Sequence, residues 1–220
     1  MCGRFTQNLS WAELHRLADL VGLPQNMAPR FNVAPTDKAY AICSEAKGPR
    51  LVRARWGLVP SWWKKPLAEL PATFNARAET LTERPMFSGA FRSRRCIVPV
   101  SGFYEWTGGK GNKTPHYFSS PDGLPLPLAG LWERWREPAS GEDVLSITII
   151  VGPANAWMRP YHERMPIILD WRDTLTWMVG ESPASLLRPA CETALQEWTV
   201  SARANKAGVN DDDASLIAPV

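Results

Sequence analysis

Twenty prolines are spread along the 220 residues of this chain, and they limit the length of its helices and strands. Proline has no backbone N–H and breaks both helix interiors and central strands. The chain must therefore be built from short segments joined by many loops. Between the prolines, several segments are rich in β-branched and other apolar residues, as short buried strands are. The predicted strands are Ala39–Ser44, Leu51–Trp56, Cys96–Val100, His116–Ser119, Leu126–Trp132 and Val144–Val151.

Helices are predicted at four places outside these strands. Ser10 and Glu13 form a capping box ahead of apolar residues at helical spacing, and Gly22 ends that run. Further helices are predicted over Glu83–Arg94 and near Asp170 and Ala184. The chain has no internal repeat and no low-complexity linker, so residues 1–220 are predicted to form one domain. Its expected class is α+β, with a mainly antiparallel, barrel-like β core and flanking short helices.

The cysteines and histidines give no sign of a metal site. Cys2, Cys43, Cys96 and Cys191 are far apart, none belongs to a CxxC pair, and the three histidines are scattered. We therefore expect no metal and no cofactor. Isolated cysteines of this kind are typical of reduced, intracellular thiols rather than of a disulfide framework.

The expected location is the cytoplasm, or the nucleus if the source is eukaryotic. No apolar run approaches the roughly 18 residues that a membrane-spanning helix needs. The first ten residues, MCGRFTQNLS, lack the apolar core of a secretory signal. We therefore expect no membrane association, and a monomer is the default expectation.

Positive charge is concentrated in the first half of the chain. Residues 1–100 contain 15 Lys and Arg against 7 Asp and Glu, whereas residues 101–220 contain 10 against 15. A basic half on a chain whose net charge is only +3 indicates a local anionic partner, of which nucleic acid is the commonest. Charge alone leaves a solvated basic surface equally open.

Cys2 has a chemistry that no internal cysteine offers. A small residue at position 2 normally allows the initiator methionine to be removed, which would leave an α-amine beside the thiol. The reference pKa of an α-amine is about 7.7–8.0, against about 10.4 for lysine, so this amine is the better nucleophile at neutral pH. It would condense with an aldehyde to a Schiff base, and the thiol would then close a five-membered thiazolidine. From position alone, a packed core cysteine is the commoner interpretation.

Three further segments place polar groups in settings that suit catalysis. Asn75 and Arg77 are two residues apart, so they share a face on an extended segment. Asn75 could hydrogen-bond a nucleophile or a sugar oxygen, and Arg77 could bind a phosphate through two hydrogen bonds. Glu105 lies among aromatic residues, where burial would raise its pKa toward neutrality. His162 is followed directly by two charged residues, Glu163 and Arg164, which suits a proton shuttle. Taken singly, a surface arginine on a turn, a solvent-facing glutamate and a structural histidine stay open.

Two adjacent tryptophans, Trp62 and Trp63, precede two lysines in a segment bounded by Pro60 and Pro66. Indoles can stack on bases or wedge between them while lysines contact phosphates. The alternative is that both rings are core, since the chain has eleven tryptophans. Adjacent side chains on an extended segment point in opposite directions, so we expect one indole to face outward.

Several short motifs together resemble the SRAP family (SOS response-associated peptidase), whose members look after abasic sites. They occur in the family's order across nearly the whole chain, and the set is specific although each motif alone is weak. The motifs are Met1–Phe5 (MCGRF), Phe31–Pro35 (FNVAP), Arg55–Pro60 (RWGLVP), Phe74–Glu79 (FNARAE), Arg94–Pro99 (RRCIVP), Gly102–Trp106 (GFYEW), His162–Pro166 (HERMP) and Val200–Ser201.

The resemblance implies a function for the candidate residues. Cys2 would be the mature N-terminus and would form a reversible thiazolidine crosslink with the ring-opened sugar of an abasic site, which shields the lesion. Asn75 would position the amine and the sugar, Glu105 would act as acid and base, and His162 would shuttle a proton. The implied partner is single-stranded DNA at junctions with duplex. The implied DNA-binding residues are Arg4, Trp62, Trp63, Arg77, Arg84 and Arg164. The family name implies a peptidase activity, which we interpret as at most the self-removal of Met1.

Two other classes of function remain open from the sequence. Glutamine amidotransferase domains also begin Met-Cys-Gly, so an N-terminal-nucleophile amidohydrolase would use the same mature Cys2 to attack an amide. That activity needs neither the basic first half nor the Trp62 and Trp63 segment. A non-covalent single-strand DNA-binding module would rely on stacking and phosphate contacts, with Cys2 incidental.

Overall fold

The centre of the computed structural model, which describes residues 2–109, 111–208 and 211–220, is a β structure flanked by helices. The strands of this described part are β1 (Phe5–Gln7), β2 (Arg30–Val33), β3 (Lys38–Glu45), β4 (Gly48–Trp56), β5 (Asn75–Arg77), β6 (Arg95–Val100), β7 (Gly102–Thr107), β8 (Thr114–Ser119), β9 (Leu126–Arg136), β10 (Asp143–Pro153), β11 (Arg164–Pro166) and β12 (Gln196–Thr199). The α-helices there are α1 (Trp11–Ala18), α2 (Pro85–Ser93) and α3 (Thr174–Val179).

Five of these strands close into a barrel, in the order β3, β4, β10, β9 and β6. The β4–β10 pair is parallel, and the other four pairs of the ring are antiparallel. A five-stranded barrel is narrow, so small side chains such as those of Ala41 and Ala54 fill its interior. At Gly130 a Cβ atom would lie 2.9 Å from the carbonyl oxygen of Thr148 and 3.0 Å from the sulfur of Cys96, which leaves no space for a side chain.

The last residues of β10 extend past the barrel. There a short strand pairs with each of the two edges of β10. β5 runs parallel to β10, with Asn75 opposite Ile149. β11 runs antiparallel to it, with Arg164 opposite Pro153. The segments that contain Asn75 and His162 are therefore attached to the same end of β10.

A second, antiparallel sheet packs against the barrel, in the order β12, β8, β7, β1 and β2. The face toward the barrel contributes Phe103 and Phe118 to the core that the two sheets share. The opposite face contributes Tyr104 to a smaller cluster with Val200 from the C-terminal segment. Since successive residues of a strand alternate between faces, Glu105 of β7 is on the barrel side with Phe103.

The predicted class, α+β with a mainly antiparallel and barrel-like β core, is confirmed. Each of the six predicted strands lies within an observed one. The strands that were not predicted are short, and most have only three or four residues, which is too few for a recognisable alternation of apolar and polar side chains. None of the described helices has the length and apolar character needed to cross a membrane.

The helix predictions hold, with one correction at a C-terminus. Ser10 caps α1 as expected, its side chain accepting a hydrogen bond from the backbone of Glu13. The helix ends at Ala18 rather than near Gly22, because Asp19 adopts the left-handed conformation (φ 46°) that ends a helix. The other predicted helices correspond to α2, to a 3-10 turn followed by α3, and to a 3-10 turn at Pro183–Leu186.

Arg95 attaches two helices to the barrel. It is buried at the start of β6, and its guanidinium donates hydrogen bonds of 2.5–3.0 Å to four backbone carbonyls, those of Phe91, Arg92, Trp177 and Gly180. These carbonyls lie at the C-terminal ends of α2 and α3, where no intrahelical donor remains and the helix dipole is negative. One buried cation thus satisfies both helix ends.

We expect the Arg95→Met substitution to lower the free energy of unfolding by about 3 kcal/mol, because four carbonyls lose a charged donor. Urea unfolding followed by circular dichroism measures this loss. Arg92→Met is the matched control, because the Arg92 side chain is exposed on α2. This substitution should change the free energy of unfolding by less than about 0.5 kcal/mol. Equal losses in the two variants would contradict the capping role.

Candidate active site around Cys2

Cys2 lies three residues before the start of β1 and is fully buried in the shared core. Its carbonyl oxygen accepts a hydrogen bond of 2.8 Å from Nδ2 of Asn75. Because β1 belongs to the second sheet and β5 is attached to the barrel, this bond joins the two halves of the structure. Cys2 is thus a core cysteine, but one that contacts another candidate site residue.

The side-chain oxygen of Asn75 is an unused hydrogen-bond acceptor. This atom, Oδ1, is buried and has no hydrogen-bond partner among the described residues. A buried carbonyl oxygen without a donor costs about 1–3 kcal/mol. Pairing with β10 fixes the backbone of Asn75, so the side chain is held where it is. The structure therefore offers a fixed acceptor beside the backbone of Cys2.

Glu105 is buried in the middle of the second sheet, where β7 lies between β1 and β8. The residue is only 2% exposed, and this burial raises the pKa of its carboxyl to about 7. Burial also raises the pKa of the Cys2 thiol far above its usual value, and the nearby charge of Glu105 raises it further. The two groups therefore interact, and the carboxyl can gain or lose a proton near neutral pH.

His162 lies in the loop between β10 and β11 and is half-buried. Its Nδ1 accepts a hydrogen bond of 2.9 Å from the backbone N–H of Arg164, so the proton of the neutral ring is on Nε2. Burial lowers the pKa of His162, which favours this neutral form at physiological pH. The ring is thus set to donate a hydrogen bond from Nε2–H.

Arg164 connects the His162 loop to the Asn75 segment. Its guanidinium forms an ion pair with Glu79, which lies in the turn directly after β5. The pair spans the end of β10, because β5 and β11 are on opposite edges of that strand. Arg164, a predicted DNA contact, therefore already has a carboxylate partner in the structure.

An open groove of about 320 Å³ lies beside Asn75. Its lining residues are Pro71, Ala72, Thr73, Asn75, Arg77, Thr80, Arg84, Met86 and Phe87. The side chains of Arg77 and Arg84 are exposed, and neither Asp nor Glu is among these lining residues. The groove is therefore positively charged, and it brings together three of the predicted site residues.

Trp62 and Trp63 lie in the loop that leads from β4 to β5. The backbone N–H of Leu58 donates to the carbonyl of Thr73 (3.3 Å), which closes this loop two residues before Asn75. Trp63 is partly buried, and its carbonyl oxygen accepts a hydrogen bond of 2.7 Å from Trp135. The Trp62 side chain is 50% exposed, so one indole faces outward as predicted. Neither Trp62 nor Trp63 is among the residues that line the groove beside Asn75.

Arg4 is placed differently from the expectation that it contacts DNA. It is buried on the face of the second sheet that points away from the barrel, where its guanidinium lies 5.7 Å from the ring of Trp106. Its Nη1 donates to the side chain of Asn32 and to the carbonyl oxygen of Ala204. Glu105 is on the opposite face, because residues 104 and 105 alternate. Arg4 therefore packs against the C-terminal segment, and its contact with DNA stays a prediction.

His116 received no role from the sequence, yet it lies directly opposite Glu105 in the β7–β8 pair. Residues that face each other across antiparallel strands share one side of the sheet, so both side chains are on the barrel side. Only the register of the β7–β8 pair identifies His116 as a neighbour of Glu105, and the sequence alone does not show that register. Within the described residues, no group of three or more His, Cys, Asp and Glu side chains is arranged to hold a metal ion.

The fold and site together define a class of protein in which a closed barrel and an antiparallel sheet enclose an N-terminal cysteine. Solved structures share this fold. A protein from Bacteroides thetaiotaomicron superposes with a TM-score of 0.84 at 24% identity over the whole of both chains. A protein from Bordetella bronchiseptica superposes with a TM-score of 0.80 at 27% identity, over 91% of this chain and all of the other.

The chain belongs to the SOS response associated peptidase (SRAP) family, whose model matches residues 1–207. It is 32% identical to the abasic site processing protein YoqW of Bacillus subtilis (strain 168) over 216 residues, which cover 93% of this chain and 94% of the relative. It is 29% identical to the abasic site processing protein YedK of Escherichia coli (strain K12) over the whole of both chains. The abasic site processing protein HMCES of Xenopus tropicalis is 34% identical over 70% of this chain and 55% of its own length. The resemblance of the motifs to this family is confirmed.

The buried carboxyl of Glu105 should make the stability of the protein depend on pH. Its pKa rises from about 4.5 to about 7 on folding, so between these values the native state keeps a proton that the unfolded state has lost. The free energy of unfolding therefore falls as the pH rises through this window, by about 3 kcal/mol. Below pH 4.5 the two states bind this proton equally.

Urea unfolding at pH 4.5 and pH 7.5 checks this prediction. Glu105→Gln has a neutral side chain of the same shape, so its free energy of unfolding should lack the fall that wild type shows. Glu192→Gln is the control, because Glu192 is exposed and should follow wild type. Identical pH dependence in wild type and Glu105→Gln would show that the carboxyl is not perturbed.

Proposed function

We propose that this protein processes abasic sites in single-stranded DNA through a reversible covalent bond to Cys2. The observation that carries the proposal is the position of Asn75, which contacts Cys2 and also lines a groove with two exposed arginines. The charge of Glu105 acts on the Cys2 thiol from within the core. The names of its relatives support the same substrate, since YoqW, YedK and HMCES are all called abasic site processing proteins.

The reaction begins with a mature N-terminus. Removal of Met1, by an aminopeptidase or by the protein itself, would give Cys2 a primary amine. The ring-opened sugar of an abasic site has an aldehyde at C1′. The amine adds to this carbon and one water leaves, which forms a Schiff base. The thiol then adds across the C=N bond, its proton passes to the nitrogen, and the thiazolidine closes without any change in oxidation state.

Three side chains suit the proton transfers of this sequence. Oδ1 of Asn75 accepts a hydrogen bond from the new amine and orients it toward the aldehyde. Glu105, with a pKa of about 7, gives a proton to the departing hydroxyl and takes one back in the reverse reaction. His162 donates a hydrogen bond from Nε2–H to the sugar oxygen and stabilises the charge that develops there during ring opening.

The burial of Cys2 favours a flexible DNA strand. A sugar that has lost its base can turn into the site from a single strand, whereas a duplex would have to be distorted. Arg77 and Arg84 would bind the flanking phosphates along the groove. Trp62 would stack on the end of a neighbouring duplex, which accounts for its exposure. Arg164 would hold the His162 loop through its bond to Glu79.

A denaturing gel tests the covalent bond directly. We expect wild type incubated with an oligonucleotide that contains one abasic site to give a shifted, heat-resistant band. Cys2→Ala should give no such band, and neither should a chain with an uncleaved extension before Cys2, because neither has the 1,2-aminothiol. A full-intensity band from the extended chain would overturn the mechanism. Salt-sensitive binding without any band would indicate a binding module, and release of ammonia from glutamine would indicate an amidohydrolase.

Arg77→Ala should weaken non-covalent binding of single-stranded DNA to the same extent for all sequences. The loss of one phosphate contact should reduce the slope of log K against log salt concentration by about one unit. Fluorescence anisotropy between 50 and 300 mM salt, as rough limits, measures this slope. Arg172→Ala removes an exposed arginine outside the groove and should leave the slope unchanged. A loss confined to particular sequences would instead indicate base recognition.

A further inference from the structure

A continuous line of hydrogen bonds runs from β7 to the loop that carries His162. Oγ1 of Thr107 lies 2.8 Å from Nε2 of His116. Nδ1 of His116 lies 2.5 Å from Oε1 of Glu197, a residue of β12. The hydroxyl of Tyr161 donates to Oε2 of the same carboxylate at 3.1 Å. Tyr161 directly precedes His162 in the chain.

The register of the second sheet puts this line on the side of Glu105. Thr107 follows Glu105 by two residues on β7, so both side chains share a face. His116 is directly opposite Glu105, and Glu197 is opposite Phe118 on the same face of the next pair. The line therefore starts beside one of the proposed proton-transfer groups and ends beside the other.

The surroundings keep these hydrogen bonds out of water. The side chains of His116 and Glu197 are only 12% and 17% exposed, so solvent screens their interaction weakly. The ring of Tyr161 packs edge-on against His116 at 5.0 Å and against Phe118 at 5.1 Å. The tyrosine is thus held by its ring and by its hydroxyl together, which fixes the end of the loop at His162.

We propose that Glu197 is a positioning residue, which holds the His162 loop against the strand of Glu105 by accepting hydrogen bonds from Tyr161 and His116 together. The inference rests on the proposed function, because it assigns the line a part in the same proton transfers. Nδ1–H of His116 donates to the carboxylate of Glu197, Nε2 is bonded to the hydroxyl of Thr107, and every member of the line has a partner. The role depends on geometry and not on the charge of Glu197.

Substitutions at Glu197 and Tyr161 separate a role of the hydrogen-bond geometry from a role of the Glu197 charge. Tyr161→Phe keeps the packed ring and removes the hydroxyl. Glu197→Ala removes both hydrogen bonds. Glu197→Gln loses the charge but keeps both bonds, since its amide oxygen can accept from His116 and its NH₂ group can donate to the tyrosine oxygen.

The kinetic test uses the full chain and an abasic oligonucleotide under single-turnover conditions. We expect Tyr161→Phe and Glu197→Ala to lower the maximal crosslinking rate about tenfold, because a displaced hydrogen-bond donor at His162 slows the chemical step. The half-saturating protein concentration should not change, and Glu197→Gln should react at close to the wild-type rate. Tyr117→Phe is the control, because it loses a buried hydrogen bond to Thr6 on the opposite face of the same sheet, and its rate should equal that of wild type.

A wild-type rate in Tyr161→Phe would overturn the inference, and so would equal losses in Glu197→Gln and Glu197→Ala. Nitrogen NMR of the imidazoles gives a readout that needs no reaction, and the chain has only three histidines to assign. In wild type and Glu197→Gln we expect the His162 ring to show the Nε2–H tautomer alone. In Tyr161→Phe and Glu197→Ala its signals should be averaged between the Nδ1–H and Nε2–H tautomers. Unchanged His162 signals in all variants would also overturn it. If wild type forms no crosslink at all, the proposed function fails, and the NMR result still decides whether the line positions His162.

Discussion

The pairing of β10 with four other strands is the constraint on which the rest of the structure depends. Along the barrel, β10 pairs with β4 and β9, and at its end it pairs with β5 and β11. Those end pairings fix Asn75 on one edge and the His162 loop on the other. A slip of one residue between β5 and β10 would turn Asn75 to the opposite side and break its hydrogen bond to Cys2.

Burial accounts for the pKa shifts of the site, in the core between the two sheets for Cys2 and Glu105 and in the β10–β11 loop for His162. It raises the pKa of Glu105 and of the Cys2 thiol, and it lowers the pKa of His162, because each shift favours the neutral form. A buried thiol that keeps its proton is a poor nucleophile until a neighbouring group accepts that proton. In the proposed reaction that proton ends on the nitrogen of the closing ring, and Glu105, whose charge acts on the thiol, can relay it.

Much of the fold and part of the site follow from local sequence patterns. The six strands with dense β-branched and apolar residues are all present, and the N-terminus of α1 is capped as Ser10 predicts. The aromatic neighbours of Glu105 correctly indicate its burial, and the alternation of adjacent side chains correctly indicates that one indole of the pair is exposed, which is Trp62. The sequence did not indicate that Arg4, two residues after Cys2, points to the face of the second sheet away from the barrel and lies against Trp106.

The sequence by itself determined the short segments, their caps and turns, and the presence of a cysteine that can become a terminal aminothiol. These are properties of neighbouring residues, and local propensity and covalent chemistry decide them. Only the tertiary structure decided that Asn75 contacts Cys2, that Arg77 and Arg84 share a groove, and that His116 lies opposite Glu105. Strand register and burial bring together residues that are far apart in the chain, and no single segment contains the information that sets them.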